Sequence, residues 1–390
     1  MIEKSALSAL GTNLRRARSV KRKSQTEVAD AAGMSRVGYR NIEAGDSAPR
    51  INSLMKIAGV LGVSLQDLLA PATELKSVRF RAQKKMTTRE TLLVEVARRL
   101  ADYRQLEELL GEQKDWKLKL VAEKLRKRSP KRAREAAIAA RDALGIRPDE
   151  TIRNICGLLE ERGGVKVLAP QVASEGFFGL SVSEQGLGPA IVVNTWERIS
   201  VERWIFTAAH ELGHLLMHAS AYNVEEAEED SDEETEADQF ASHLLMPEDL
   251  FVRERAKCKG LRFVDLVLSL KRTFHVSYKT VVYRIAEDKP KDERRFVWMT
   301  LQTDYRNKFG KGLMRADEPD RLPATAFSAT PPERSSEEPA RLVHYDFVEA
   351  RLHRLVREAI EANHIGLGRG AEILGKSVEE MNELSGAWMK

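Results

Sequence analysis

Two histidines, His210 and His214, lie inside the apolar helical run from Ser200 to His218. Positions four apart share one face of a helix, so both imidazoles can meet a single ion. Glu211 sits about a third of a turn round, where it reaches a water at that ion without binding the ion itself. Imidazole nitrogens in tetrahedral geometry suit zinc, and a catalytic zinc keeps one position for water. The ion lowers that water's pKa toward neutrality. Glu211 is then the general base that takes the proton and passes it to a leaving amine. Gly213, beside the second histidine, allows another backbone to approach the helix closely.

Such a site needs a third ligand. A second helical run, from Glu234 to Leu245, carries Glu234 and Asp238 four apart on one face. Glu234 is the favoured zinc ligand, with Glu233 the lesser candidate. Asp238 is expected to hold a ligating histidine through its other ring N–H. Glu236 is expected to point away and be solvated. His218, one turn past His214, reads more readily as a capping or packing histidine than as a supporting partner of the site.

Composition sets the frame around these helices. The chain has 390 residues, which implies several domains. Hydrophobic residues make up 42%, enough for real cores, and charged residues make up 31%, as in proteins rich in exposed helices. The net charge of +4 says little about partners; the local charge says more. Basic clusters fall at Lys21–Lys23 and from Lys117 to Arg134, and an acidic run spans Glu225 to Glu236. Two cysteines, Cys156 and Cys258, exclude a disulfide framework and a cysteine zinc site. No leader opens the chain and no apolar run approaches ~20 residues, so a cytoplasmic protein without a membrane partner is expected.

At the N-terminal end, apolar positions recur at three and four from Leu14 to Leu68, broken at Gly33, Gly45 and Gly62. Ser24, Ser35 and Ser64 stand where helix N-caps are wanted. Gln25 to Ala29 starts one short helix, Gly33-Met34-Ser35 turns, and Arg36 to Glu43 forms the next. In this helix-turn-helix layout the second helix enters the major groove of duplex DNA. Gln25, Ser35, Arg36, Gly38, Tyr39 and Arg40 are the candidate contacts. Arg36 and Arg40 best suit bases or phosphates, and Gln25 suits a phosphate. Glu43 reads as a structural ion pair.

Two resemblances carry these readings further. Residues 10–70, with Q-x-x-x-A, G-x-S, I-E-x-G and a following proline, resemble the lambda-repressor-like XRE family. The run RWIFTAAHELGHLLMH (Arg203 to His218), EADQFASHLLMP (Glu236 to Pro247) and the preceding AIVVN (Ala190 to Asn194) resemble the ImmA/IrrE family of bacterial metallopeptidases. That resemblance implies a zincin-like α+β fold with zinc on His210, His214 and Glu234 and Glu211 as base. It also implies cleavage of a helix-turn-helix type repressor, releasing stress or mobile-element genes.

The whole chain therefore reads as a mostly α, multi-domain protein. A helix-turn-helix domain (8–72), a basic helical connector (76–145) and a peptidase domain with a small sheet (148–290) are followed by a Pro-rich linker (291–344) and a helical C-terminal module (345–390). The strands are expected at Val165–Leu168, Phe177–Val182 and Ala190–Val193. The edge of either of the last two can take a peptide as an added strand. His364 to Leu384 resembles a second, minimal helix-turn-helix, with a packing or protein-interaction role favoured. The connector's basic run reads as a solvated face or, more sharply, as a contact for single-stranded DNA acting as activator. XRE domains usually read paired half-sites, so a homodimer is expected. The competing reading is a DNA-binding repressor or antitoxin-like regulator whose metal site is structural or signal-sensing.

Overall fold

The computed structural model describes residues 2–21, 23–63, 65–69, 78–82, 89–125, 129, 131–174, 176–184, 187–218, 231–287, 289–314, 317–327 and 350–388. Ser64, most of the acidic run before residue 231 and the prolines between 328 and 349 lie outside them. Residues 1–75 with 85–101 form one compact unit, and 76–84 with 102–390 a second.

In the first unit, α1 (Ile2–Val20), α2 (Gln25–Ala32), α3 (Arg36–Glu43), α4 (Ile51–Leu61) and α5 (Leu65–Leu69) surround a core of Leu14, Val28, Tyr39, Ile57 and Leu61. The caps are those expected at two sites. Ser24 and Glu27 form a reciprocal capping box, and Ser35 Oγ accepts the Gly38 amide at 3.1 Å. Gly33 turns the chain at φ 69°, where a side chain is strained. The helix α6 (Arg89–Leu110) follows.

The second unit is built on a four-stranded sheet of order β1-β3-β4-β2. Its strands are β1 (Val78–Ala82), β2 (Lys166–Leu168), β3 (Phe177–Val182) and β4 (Ala190–Val193). β2 runs parallel to β4, while β3 runs antiparallel to both β4 and β1. β2, β3 and β4 fall where alternation and β-branched runs placed them. β1 does not: residues 76–145 were expected to be almost wholly helical. The period-two pattern Val78-Arg79-Phe80-Arg81 is a strand signal, and pairing with β3 selects it.

The connector is also not a separate body. Leu118, Ala122, Ala133, Ala136, Ala140 and Leu144, from α7 (Lys119–Lys124), α8 (Arg132–Ala143) and their flanks, share one hydrophobic core with the sheet and the peptidase helices. The following turn of helix, α9 (Ile155–Gly157), runs into a π-helical segment (Leu158–Gly163) and stops at Gly164, whose φ is 67°. Asn154 caps it, accepting the Gly157 amide at 2.9 Å.

The central helix α10 (Val201–Met217) packs against β3, β4 and α11 (Ser231–Leu245). α12 (Glu248–Lys257), α13 (Phe263–Phe274) and α14 (Tyr278–Glu287) close the core. Part of the expected irregular linker is helix: α15 (Arg294–Phe309) buries Val297, Leu301 and Tyr305. Residues after it pack too. Glu318 lies 3.5 Å from buried Lys271, and Phe327 meets Trp204 edge-on.

The tail forms α16 (Arg351–Glu361), α17 (Leu367–Leu374) and α18 (Val378–Trp388). It is tied down by a buried ionic cluster. Arg351 donates to Glu107 at 2.6 Å and its amide to Glu160 at 3.1 Å; Lys166 bonds Glu107 at 3.1 Å. Burial pushes the Glu160 carboxyl up to about 7. α18 opens on a capping box, with Ser377 N–H donating to Glu380 at 2.7 Å and Ser377 Oγ accepting the Glu380 amide at 3.1 Å.

α10 and α11 pack closely at Gly213. A Cβ on Gly213 would stand 2.9 Å from Phe240 on α11. Gly213→Val should force α10 and α11 apart and cost about 1–3 kcal/mol. The check is a lower urea midpoint with an unchanged slope; an unchanged midpoint counts against this packing account.

Candidate metal centre

His210 and His214 project from the buried middle of α10 toward α11. Their Nε2 atoms are 2.9 Å apart, and Glu234 in the first turn of α11 lies 3.3 Å from one and 3.1 Å from the other. All three donor atoms fall within 4.8 Å of one another. Two imidazole nitrogens and one carboxylate oxygen are the donor set of a catalytic zinc, so these residues fit that ion.

The outer ring nitrogens are engaged. Asp238, one turn along α11, meets His210 Nδ1 at 2.7 Å. His218 Nδ1 meets His214 Nδ1 at 2.8 Å, and His218 Nε2 meets Glu236 at 3.0 Å. Arg132 of α8 donates to the Glu236 carboxylate through its guanidinium. One assignment gives each proton an acceptor along this line: His214 Nδ1–H to His218, and His218 Nε2–H to Glu236. Both ligand Nε2 lone pairs then face Glu234. Burial holds His214 and His218 below the ordinary histidine pKa, which keeps them neutral donors.

Two expectations change here. His218 supports a ligand rather than merely packing, because a histidine four residues after His214 lies directly over it. Glu236 is not solvated: it is drawn inward by Arg132 and His218, neither of which a view along α11 alone can supply. Glu233 points to Arg79 of β1 at 2.5 Å, and Arg79 also reaches Glu234 at 3.2 Å. Sequence reading missed Arg79 and Arg132. Arg132 sits in the basic run that was read as a solvated face or DNA contact, yet its side chain is 3% exposed.

Glu211 is buried on the sheet side of α10. Ser181 of β3 donates its hydroxyl to Glu211 Oε2 at 2.8 Å. Gly179, two residues earlier, leaves no room for a side chain: a Cβ there would stand 2.6 Å from Thr207 and 3.3 Å from Glu211 Oε1. β3 thus orients the carboxylate that the helix spacing aims at the ion. The expectation that a peptide adds to β3 or β4 meets a tenant, since both strands already have a neighbour on each side.

In the first unit, Ser35, Arg36 and Arg40 are exposed and Gly38 is half-buried. Tyr39, expected on the exposed reading face, is instead wholly buried in the domain core. A position one turn before Glu43 points inward, toward α1. Gln25 gives its amide to Glu43 at 3.1 Å, and Glu43 forms a two-pronged pair with Arg18 at 2.7 Å, as a structural ion pair should. Val37, passed over in the sequence reading, is 59% exposed beside Arg36 and suits an apolar contact with a thymine methyl.

Comparisons with known proteins follow this division. Residues 160–286 match the family described as the IrrE N-terminal-like domain, Peptidase M78. Residues 14–68 match the helix-turn-helix family. A curated relative, the SPbeta prophage-derived uncharacterized HTH-type transcriptional regulator YonR of Bacillus subtilis (strain 168), is 39% identical over 59 residues, which is 15% of this chain. The chain spans about half (55%) of that relative's length. No solved structure matches. Among the described residues no helix is long and apolar enough to cross a membrane. Residues 14–68 are thus an XRE-type helix-turn-helix segment, and residues 160–286 an IrrE-like segment of the Peptidase M78 kind, carried on one chain.

Proposed function

We propose that this protein is a zinc-dependent endopeptidase joined to a DNA-binding domain. It cleaves a regulatory protein, a repressor or antitoxin of helix-turn-helix type, to control transcription in a stress or mobile-element response. The observation that carries the peptidase reading is the convergence of His210, His214 and Glu234 beside buried Glu211. Zinc held there supplies Lewis acidity, polarising a carbonyl and bringing a water's pKa toward neutrality. The Glu211 carboxylate would take a proton from the attacking water and return it to the leaving amine. Ser181 keeps the carboxylate turned toward the ion's side. His218 and Asp238 hold the two imidazoles in orientation.

Arg36 and Arg40 are the proposed DNA contacts, with Ser35 capping the reading helix. Lys21 and Lys23 add positive charge toward phosphate.

Three outcomes test this reading. Glu211→Gln should keep zinc and the fold but lower cleavage by about 10²–10⁴-fold. The measure is a comparison of cellular proteomes with wild-type and variant protein. Regulation and proteolysis that survive the change favour a structural or sensing metal site instead. Asp238→Asn and His218→Ala should each weaken zinc binding about 10–100-fold in competition with a chromophoric chelator; unaltered affinity removes their orienting role. Arg36→Ala or Arg40→Ala should weaken binding to the protein's own promoter and, for a phosphate contact, reduce the salt slope by about one, as read by anisotropy over a salt series.

A further inference from the structure

β3 is the strand that faces Glu211, and within the matched segment 160–286 its outer edge has no partner strand. The partner comes from outside that segment, from β1, which lies in sequence between the helix-turn-helix and peptidase segments. β1 pairs antiparallel with β3, Arg79 opposite Ser181 and Phe80 opposite Leu180. Directly paired residues project to the same face of a sheet. Ser181 points to Glu211, so Arg79 points the same way, into the metal centre. Its guanidinium there meets Glu233 and Glu234, and its side chain is 11% exposed. Main-chain pairing with an edge strand, combined with one side chain set into a complementary pocket, is how an extended peptide is recognised. Val78, at the start of the strand, is likewise buried.

We propose that residues 78–82 are an internal occupant of the substrate strand position. This rests on the peptidase reading above and deepens it in two ways. The cleft of the full chain is filled until β1 leaves β3. The segment that replaces β1 is an extended stretch with an arginine opposite Ser181, recognised by Glu233. Arg79 also donates to the Glu234 carboxylate, so the departure of β1 removes a hydrogen bond from a residue that would hold the ion.

The test reads binding, not cleavage. Full-length protein carrying Glu211→Gln is titrated into a fluorescein-labelled peptide of residues 76–85, KSVRFRAQKK, with a scrambled peptide as control. Arg79→Ala and, separately, Phe80→Pro are added to release β1 by charge and by backbone. Both released variants should bind the peptide at least tenfold more tightly than the parent. Replacing the peptide's first arginine by alanine, or Glu233 by alanine in the protein, should lose that gain. Equal binding to parent and released variants, or binding that the scrambled peptide matches, overturns the proposal. So does failure of both variants to fold by circular dichroism, which makes β1 an integral strand. Cleavage that depends on Glu211 without this binding pattern sinks only the occupant. The binding pattern without Glu211-dependent cleavage sinks only the peptidase reading.

Discussion

Glu234 brings a carboxylate within 3.3 Å of two buried imidazole nitrogens, and much of the second unit serves to make that arrangement tolerable. Charge and lone pairs placed in a low-dielectric interior are costly unless each is met by a partner. The partners come from four directions. Asp238 takes His210, His218 and Glu236 take His214, Arg132 takes Glu236, and Arg79 takes Glu233 and Glu234. Asp238 and Glu236 stand on α11, His218 at the end of α10, Arg132 on α8 and Arg79 on β1, so these elements are held together by polar pairing as well as by their apolar faces. Breaking one member leaves another charge buried without its counterpart, which is why such sets act as units.

The same arrangement links the sheet to the chemistry. β3 is the hinge of this link: Ser181 orients Glu211, Gly179 lets α10 sit against the strand, and Arg79 crosses from β1 in register with Ser181. A strand supplied from ahead of the matched segment 160–286 therefore pairs with Ser181 and reaches Glu234. The connection between the DNA-binding segment and the peptidase segment is in this respect part of the site rather than a tether.

Much of this was legible beforehand because it is local. His210, Glu211, His214 and Glu234 followed from helical spacing, and the caps Ser24 and Ser35 from the residue types that accept amide hydrogens. β4 followed from a β-branched run and β3 from an apolar, aromatic one bounded by turn residues. What was not legible is non-local. Tyr39 carries a hydroxyl and sits among exposed neighbours in sequence, yet its face of α3 meets the core. Arg132 belongs to a run of charge that looks solvated until α8 is placed on α11. Glu236 looks turned away on an isolated α11, but His218 and Arg132 reach round to it.

The two segments and the candidate residues His210, Glu211, His214 and Glu234 are written into periodicities of a few residues within single helices. Only the tertiary structure decided which carboxylate holds which histidine, that His218 supports His214, and that Val78–Ala82 is a strand on β3 rather than part of a helix. Apart from the His214–His218 contact, which is one helical turn, those choices depend on contacts between residues tens to more than a hundred positions apart, where the balance of burial and pairing selects the outcome.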